Sequence, residues 1–216
     1  MKTQIKKYIK IYLYIYIITV IIVFIVKSIF ALSISGFLLR DNITAKKIID
    51  ACFWAVGPAI IGINIFNKYI WKIPIIRKIF SIDLPYIEGR WEGTLFSTYT
   101  QHKKKHKIVI EFSQTLTRTG VWYYDENAIT HSVIADTVLD EEGGPARVLC
   151  IYDNNPIINR DTELRRHIGV MELFVLADEN SIKGTYFNNP VQRNTYGEID
   201  IKFVSRKRLK IFNPNI

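Results

Sequence analysis

Beyond residue 90, apolar residues recur at every second position, and this period constrains the fold more than any other feature of the chain. In the segment 107–116, for example, Ile108, Ile110 and Phe112 occupy alternate positions. A period of two places successive side chains on opposite faces of a β-strand, whereas an amphipathic helix has a period near 3.6. The second half of the chain is therefore expected to form a sheet with one apolar face.

Eight such segments follow one another, separated by short runs of turn residues such as Glu142-Gly-Gly-Pro145 and Asn188-Asn-Pro190. The predicted strands are 90–99, 107–116, 120–128, 130–139, 146–153, 167–177, 181–188 and 195–206. Short links between antiparallel strands predict an all-β domain, an eight-stranded up-and-down antiparallel barrel whose interior can hold one small ligand. A β-sandwich is the alternative topology.

The first eighty residues predict a membrane α-helical hairpin. The stretch Ile11–Val26 holds 16 residues without a charge, and its apolar flanks extend it beyond the roughly 20 residues that cross a bilayer. A second apolar run follows, so we expect two transmembrane (TM) helices at about 11–35 and 48–68. A signal peptide is disfavoured because no small-residue cleavage site follows the first run.

Charge is distributed unevenly between the two halves. The chain has a net charge of +9, of which residues 1–80 contribute +10 and residues 81–216 contribute −1. The basic excess thus flanks the apolar spans, where it sets topology, and it does not indicate a DNA or RNA partner. The positive-inside rule places both termini in the cytoplasm. We expect a TM anchor at 1–80 and a cytoplasmic ligand-sensing barrel at 81–216.

Patterns that would indicate an enzyme are missing from the sequence. It contains no GxGxxG after a strand, no P-loop, no GxSxG and no HExxH motif. Cys52 and Cys150 lie far apart in apolar runs and are interpreted as buried thiols. His102 and His106 flank three lysines and are expected at a solvated hairpin tip. We predict no catalytic residues, no metal site and no cofactor.

A binding site is indicated near the end of the chain. The segment 183–198 contains Tyr186 in a Gly-aromatic strand, then Arg193 in a polar loop, then Thr195 before the last strand. Arginine offers a planar fork for phosphate, threonine a hydroxyl, and tyrosine a face on which a base can stack. The same residues also fit an ordinary hairpin that leaves Arg193 in solvent.

The whole layout resembles a family of anti-phage effectors. A two-helix hairpin, a joint of the type Tyr86-Ile-Glu-Gly-Arg-Trp-Glu-Gly93 and a barrel ending in Gly184-Thr-Tyr and Arg193-Asn-Thr-Tyr-Gly-Glu198 are similar to the two-transmembrane, β-barrel effectors of CBASS systems. These are also called SMODS-associating, β-strand-rich effectors.

The resemblance implies a function and a set of contacts. A partner nucleotidyltransferase would make a cyclic dinucleotide, the barrel would bind it, and the chain would assemble into a homo-oligomer that disrupts the bacterial inner membrane through its lipid-embedded hairpin. The protein would be a multi-pass protein of that membrane. The implied ligand-binding residues are Tyr86, Thr98, Tyr186, Arg193 and Thr195. Arg193 would hold a phosphate, Tyr186 or Tyr86 would stack on a base, and Thr98 or Thr195 would donate hydrogen bonds.

Two other functions fit parts of the pattern. A membrane-tethered, lipocalin-like carrier of a small hydrophobic ligand requires a barrel lined almost wholly by apolar side chains. A structural tether that binds a protein through the barrel exterior requires a large exposed apolar patch.

Overall fold

The computed structural model describes residues 2–34, 45–98, 105–126, 128–140, 143–156, 167–189 and 195–214. The chain divides into two compact units, Met1–Ile82 and Asp83–Ile216. The division falls in the stretch where the sequence changes from long apolar runs to alternation.

The first unit is helical. It contains α1 (Lys2–Ile34), α2 (Ala45–Lys68), a 3-10 turn (Ile70–Lys72) and α3 (Pro74–Ile79). Within α1, Tyr8–Ile29 is long and apolar enough to cross a membrane by length and composition, and it is the one such helix among the described residues. At about 1.5 Å per residue these 22 residues extend about 33 Å. The second predicted span falls on α2, which continues past Pro58 as far as Lys68.

The two long helices contact each other through polar groups as well as apolar ones. The Tyr16 hydroxyl donates a hydrogen bond to the Cys52 carbonyl at 3.4 Å. Lys27 places its Nζ atom 4.8 Å from the centre of the Trp54 ring. A cation over an aromatic face is stabilised by the ring quadrupole, so this contact gives Lys27 a partner within the helical unit.

The second unit is a closed barrel of eight antiparallel strands in sequential order, which confirms the predicted fold. Each strand boundary lies within four residues of the predicted one. The strands are β1 (Gly89–Ser97), β2 (Lys105–Gln114), β3 (Thr119–Tyr124), β4 (Ala128–Val138), β5 (Arg147–Pro156), β6 (His167–Val175), β7 (Ser181–Asn188) and β8 (Tyr196–Ser205).

Closure depends on close approach of β8 to its neighbours. β1 pairs with β8 from Arg90↔Ser205 to Ser97↔Gly197. A Cβ atom at Gly93 would overlap the Asp200 carbonyl, and one at Gly197 would overlap the Phe96 carbonyl. Glycine is therefore required on both sides of this seam because only glycine allows the two backbones to lie this close.

One end of the barrel, which we call the linker end, is filled. It receives residues 83–88, the linker. Ile87 is fully buried; its N–H donates to the Gln114 side chain at 2.9 Å, and its carbonyl accepts from the Trp91 indole at 2.9 Å. The Trp91 ring packs edge-on against Phe203. The linker thus closes this end of the barrel with a satisfied hydrogen-bond network.

A C-terminal strap, residues 206–213, covers a buried ion pair network on the outer face of β1 and β2. Arg90 is 1% exposed and donates to Glu92 at 2.6 Å and to Glu111 at 3.0 Å. It also donates to the carbonyls of Ile211 and Asn213, and Glu111 accepts from backbone N–H groups of the strap. Every charge in the network has an opposite charge or a backbone dipole as a partner.

Replacing Arg90 with alanine is expected to lower the free energy of unfolding by about 3–5 kcal/mol, because two buried carboxylates lose their cation. Urea unfolding of the full-length protein in detergent, followed by tryptophan fluorescence, measures this. Arg147→Ala is the matched control: its ion pair with Glu172 is partly exposed and should contribute less than about 1 kcal/mol. Equal losses of unfolding free energy in both variants would contradict the conclusion that the buried Arg90 network stabilises the barrel.

Candidate functional site

The inner surface of the barrel changes from apolar to polar along its length. Near the linker end the inward side chains are mostly apolar, including Trp91, Phe112 and Ile182, while Gln114 hydrogen-bonds to the linker and Thr119 hydrogen-bonds to Thr137. At the opposite end, which we call the polar end, hydroxyl, amide and imidazole groups face inward. They are Ser97, His106, Tyr123, Thr130, Tyr152, Asn154, His167, Tyr186 and Asn188.

Two tyrosines define the inner wall of the polar end, and each lies opposite a glycine on the next strand. Tyr186 pairs with Gly197, and a Cβ atom there would meet its ring. Tyr152 pairs with Gly169, and a Cβ atom there would likewise meet the Tyr152 ring. The missing side chains therefore make room for both rings on the inner surface.

The tyrosine hydroxyls are held by short hydrogen bonds. Tyr186 donates to Ser97 at 2.6 Å, and Tyr152 donates to the Asn188 side-chain oxygen at 2.7 Å. The Asn188 amide in turn donates to the Thr195 hydroxyl at 2.5 Å. Strands β1, β5 and β7 and the start of β8 are thus connected across the polar end by side chains.

Burial keeps these hydroxyls neutral. Desolvation is the main cause that raises the pKa of Tyr123 well above 10, and the nearby Asp125 carboxylate adds to it. Desolvation likewise raises the pKa of Tyr152 far above its ordinary value, with a smaller contribution from Tyr186. At physiological pH both tyrosines therefore remain hydrogen-bond donors, and each donates its one proton within the barrel, Tyr123 to Asp125 and Tyr152 to Asn188.

A second polar chain crosses β4, β5 and β6. The Thr130 hydroxyl donates to the Asn154 oxygen at 2.6 Å, and the Asn154 amide lies 3.4 Å from His167 Nε2. Because an amide N–H donates, this contact leaves His167 Nε2 as the acceptor. His167 is 4% exposed, so it belongs to the buried wall.

The structure brings two of the predicted site residues together and places a third beside them. Both Tyr186 and Thr195 lie at the polar end, where Tyr186 donates to Ser97 and Thr195 accepts from Asn188. The Thr98 hydroxyl donates to the Tyr196 carbonyl and accepts from the Tyr196 N–H, both at 3.0 Å, so it extends the β1–β8 seam. Arg193 lies outside the described residues.

Tyr86 lies at the other end of the barrel. It belongs to the linker, and its ring stacks on Arg206, whose guanidinium carbon is 4.1 Å from the ring centre. Strand β1 separates it from Thr98, and nine residues of strand extend about 30 Å. A ligand bound at the polar end therefore does not reach Tyr86.

Sequence reasoning missed several polar-end residues and misplaced one. His106 was expected at a solvated hairpin tip. It instead lies in β2, opposite Leu95, and its Nε2 atom is buried. The alternation of the sequence could have shown this, because His106 is two and four residues from the inward-facing Ile108 and Ile110 and therefore lies on the same face of the strand. Tyr152 and Asn188 also follow from parity, but only once the strand pairing is known.

The segments that join the strands differ in charge between the two ends. From the strand bounds, those at the polar end hold six basic and four acidic residues in the sequence, and those at the linker end hold one basic and five acidic residues. This counts the composition of the segments alone. By composition the joining segments thus carry +2 at the polar end and −4 at the linker end, where the strap adds four basic residues.

Comparison with known proteins gives one family match. Residues 82–202, more than half of the chain, match the family model described as Cap15, cyclic dinucleotide receptor domain. The matched range extends from the linker to near the end of β8. A comparison with curated proteins finds no match.

The Cys150 thiol, on the inner face of β5, provides a test of how well the barrel interior excludes water. Desolvation raises its pKa to about 12, so almost no thiolate forms at pH 8. We expect iodoacetamide to alkylate Cys150 at pH 8 only in urea, as read by mass spectrometry of the peptides. The half-buried Cys52 is an internal control for reagent activity in urea. Rapid alkylation of Cys150 in the folded protein would contradict a sealed interior.

Proposed function

Because the chain belongs to the family of Cap15 cyclic dinucleotide receptor domains, we propose that it is a CBASS effector whose barrel binds a cyclic dinucleotide at the polar end. The role of such a domain is binding rather than catalysis. On binding, the protein assembles with further copies of itself and its N-terminal helices disrupt the inner membrane, with both termini in the cytoplasm.

The observation that carries the proposal is the ring of neutral polar side chains on the inner surface of the polar end. Tyr152 and Tyr186 present aromatic rings and hydroxyls from two sides of the barrel. Stacking of a base on an aromatic ring contributes about 1–3 kcal/mol. A hydrogen bond to a charged phosphate contributes about 1.5–3 kcal/mol. A few such contacts reach the roughly −8 kcal/mol of micromolar affinity.

The proposed contacts keep four of the predicted residues in distinct roles. Arg193 binds a phosphate, Tyr186 stacks on a base, and Thr195 donates a hydrogen bond once the ligand replaces Asn188 as its partner. Thr98 supports the site by fixing the start of β8. Tyr86 is left out, since it lies at the linker end.

A carrier of hydrophobic ligands is less well supported by the same surface. Such a carrier needs an apolar lining, whereas the polar end presents hydroxyls, amides and imidazoles. The apolar part of the interior is filled by its own side chains, including the fully buried Trp91 and Ile110. The position of the polar groups therefore favours a polar ligand.

Self-association is supported by an apolar row on the barrel exterior. The outer row, as we call it, consists of cross-strand neighbours on β4 to β8: Ile134, Ile151, Val170, Phe187 and Tyr196. All but Val170 are at least 40% exposed. The row ends at Phe187 on β7 and Tyr196 on β8, the two strands that the segment containing Arg193 joins. A ligand bound by Arg193 can therefore favour one position of these two side chains. Ligand drives assembly only if it binds the assembled form more tightly.

Isothermal titration of the full-length protein in detergent with cyclic di-AMP, cyclic di-GMP, cyclic GMP–AMP and cyclic UMP–AMP tests the binding proposal. We expect saturable binding of at least one. Arg193→Ala should weaken it about tenfold or more, because a charge-assisted contact is lost. Arg118→Ala, an exposed arginine at the linker end, should leave it unchanged. A folded protein that binds none of the four would refute the proposed ligand class for this panel.

Ile151→Glu tests the outer row. Burying a carboxylate in an apolar contact is costly, so the variant should remain monomeric when a cyclic dinucleotide is bound. The affinity of the monomeric variant for the nucleotide should equal that of the unmodified monomer. Analytical ultracentrifugation in detergent measures this. Thr117→Glu, an exposed position in the β2–β3 turn, is the matched control and should assemble normally. Assembly of Ile151→Glu would show that another surface is used.

A further inference from the structure

His106 is a half-buried residue whose imidazole no contact within the described residues explains. It lies in β2 opposite Leu95, which is two residues from Ser97 on β1, and it shares the inward orientation of Ile108. Its Nε2 atom is buried and has no hydrogen-bond partner among the described residues. Leaving such an atom unsatisfied costs about 1–3 kcal/mol, and a ligand that hydrogen-bonds to it would offset that cost.

The interior has little else that can carry positive charge. No lysine, arginine, aspartate or glutamate is among the inward-facing residues of the described strands. Two inward side chains there can become cations, His106 and His167. His167 Nε2 already contacts the Asn154 amide, which occupies its acceptor position. His106 is the one with a buried nitrogen to offer.

We propose that His106 contacts a phosphate of the bound cyclic dinucleotide as a protonated imidazole, donating from Nε2, so that binding takes up a proton from solvent. The inference rests on the proposed function and adds the source of the positive charge inside the barrel. A cyclic dinucleotide carries two negative charges, and placing them in a low-dielectric interior requires a cation or strong donors nearby. Histidine supplies a charge that is present only when needed, because it titrates between pH 5 and 8.

Few charged groups face His106 from the described strands. From β1 the facing residues are uncharged, Leu95 and Ser97. On β2 itself, Lys105 and Lys107 have the opposite parity and point outward. The titratable groups on the inner wall of the polar end are Tyr123, Tyr152, Tyr186 and His167, together with Asp125, which accepts the Tyr123 hydroxyl. Asp125 also accepts a hydrogen bond from the Ala128 N–H, so both of its carboxylate oxygens have partners within β3 and β4.

The sign of the pH dependence follows from the proton count. The complex holds one more proton than the free protein and nucleotide, so affinity falls as pH rises. We expect the full-length protein in detergent to lose at least tenfold in affinity between pH 6 and pH 8 for the tightest binder among the four cyclic dinucleotides above. At pH 7, binding enthalpies measured in PIPES and in Tris should differ. The expected difference is the difference between the two buffers' ionisation enthalpies, multiplied by the fraction of a proton taken up.

Variants separate a ligand contact from a structural role. His106→Gln keeps a hydrogen-bonding side chain but cannot be charged; it should bind at least tenfold more weakly at pH 6 and lose the buffer-dependent enthalpy. His106→Arg carries a charge that does not titrate, so its affinity should no longer fall between pH 6 and 8. His131→Gln, on the exposed outer face of β4, is the matched control and should behave as the unmodified protein.

The outcomes distinguish this inference from the proposed function. If the unmodified protein binds none of the nucleotides, the proposed function fails. If it binds one and folded His106→Gln binds as tightly, or binds weakly while proton uptake persists, the role of His106 is overturned and the proposed function stands. Circular dichroism of each variant establishes that it is folded.

Discussion

The hydrogen-bonded seam between β1 and β8 is the constraint on which the rest of the barrel depends. An open sheet of eight strands would leave two edges of unpaired backbone groups, whereas this seam pairs both edges with each other. Once the seam is closed, successive side chains point alternately into a narrow interior and toward the outer surface. The glycines at the seam allow the closure, and the interior volume that remains decides which side chains fit.

That interior is divided by polarity, and the proposed ligand site lies in the part that its own apolar side chains do not fill. At the linker end, aromatic and aliphatic side chains fill the space around Trp91 and Ile87. At the polar end, neutral donors and acceptors hold one another across the barrel. Fixed charges are kept to the outside, where Arg90 and its two carboxylates are covered by the strap. A recognition site of neutral groups avoids the cost of burying a permanent charge before the ligand arrives.

The strands could be predicted from sequence because a period of two is a local signal that survives without any knowledge of the partners. The composition of the site could be predicted only in part. Tyr186 and Thr195 come from one local segment, which also contains Asn188, whereas Tyr152 and His167 lie at the same end only through the strand register, which no local pattern specifies. Tyr86 was predicted as a ligand contact from a motif match. It lies in the linker before β1, and β1 runs from there to the polar end, so Tyr86 is at the linker end. His106 was misjudged because its lysine neighbours suggested solvent, while its parity turned it inward.

The strap has a consequence for the order in which the protein matures. Arg90 is synthesised early in the barrel and remains without its last two carbonyl partners until Ile211 and Asn213 leave the ribosome. The seam waits equally long, because β8 is the final strand. The helices of the first unit are therefore translated well before the barrel is finished. A nascent or prematurely terminated chain carries those helices without a closed barrel.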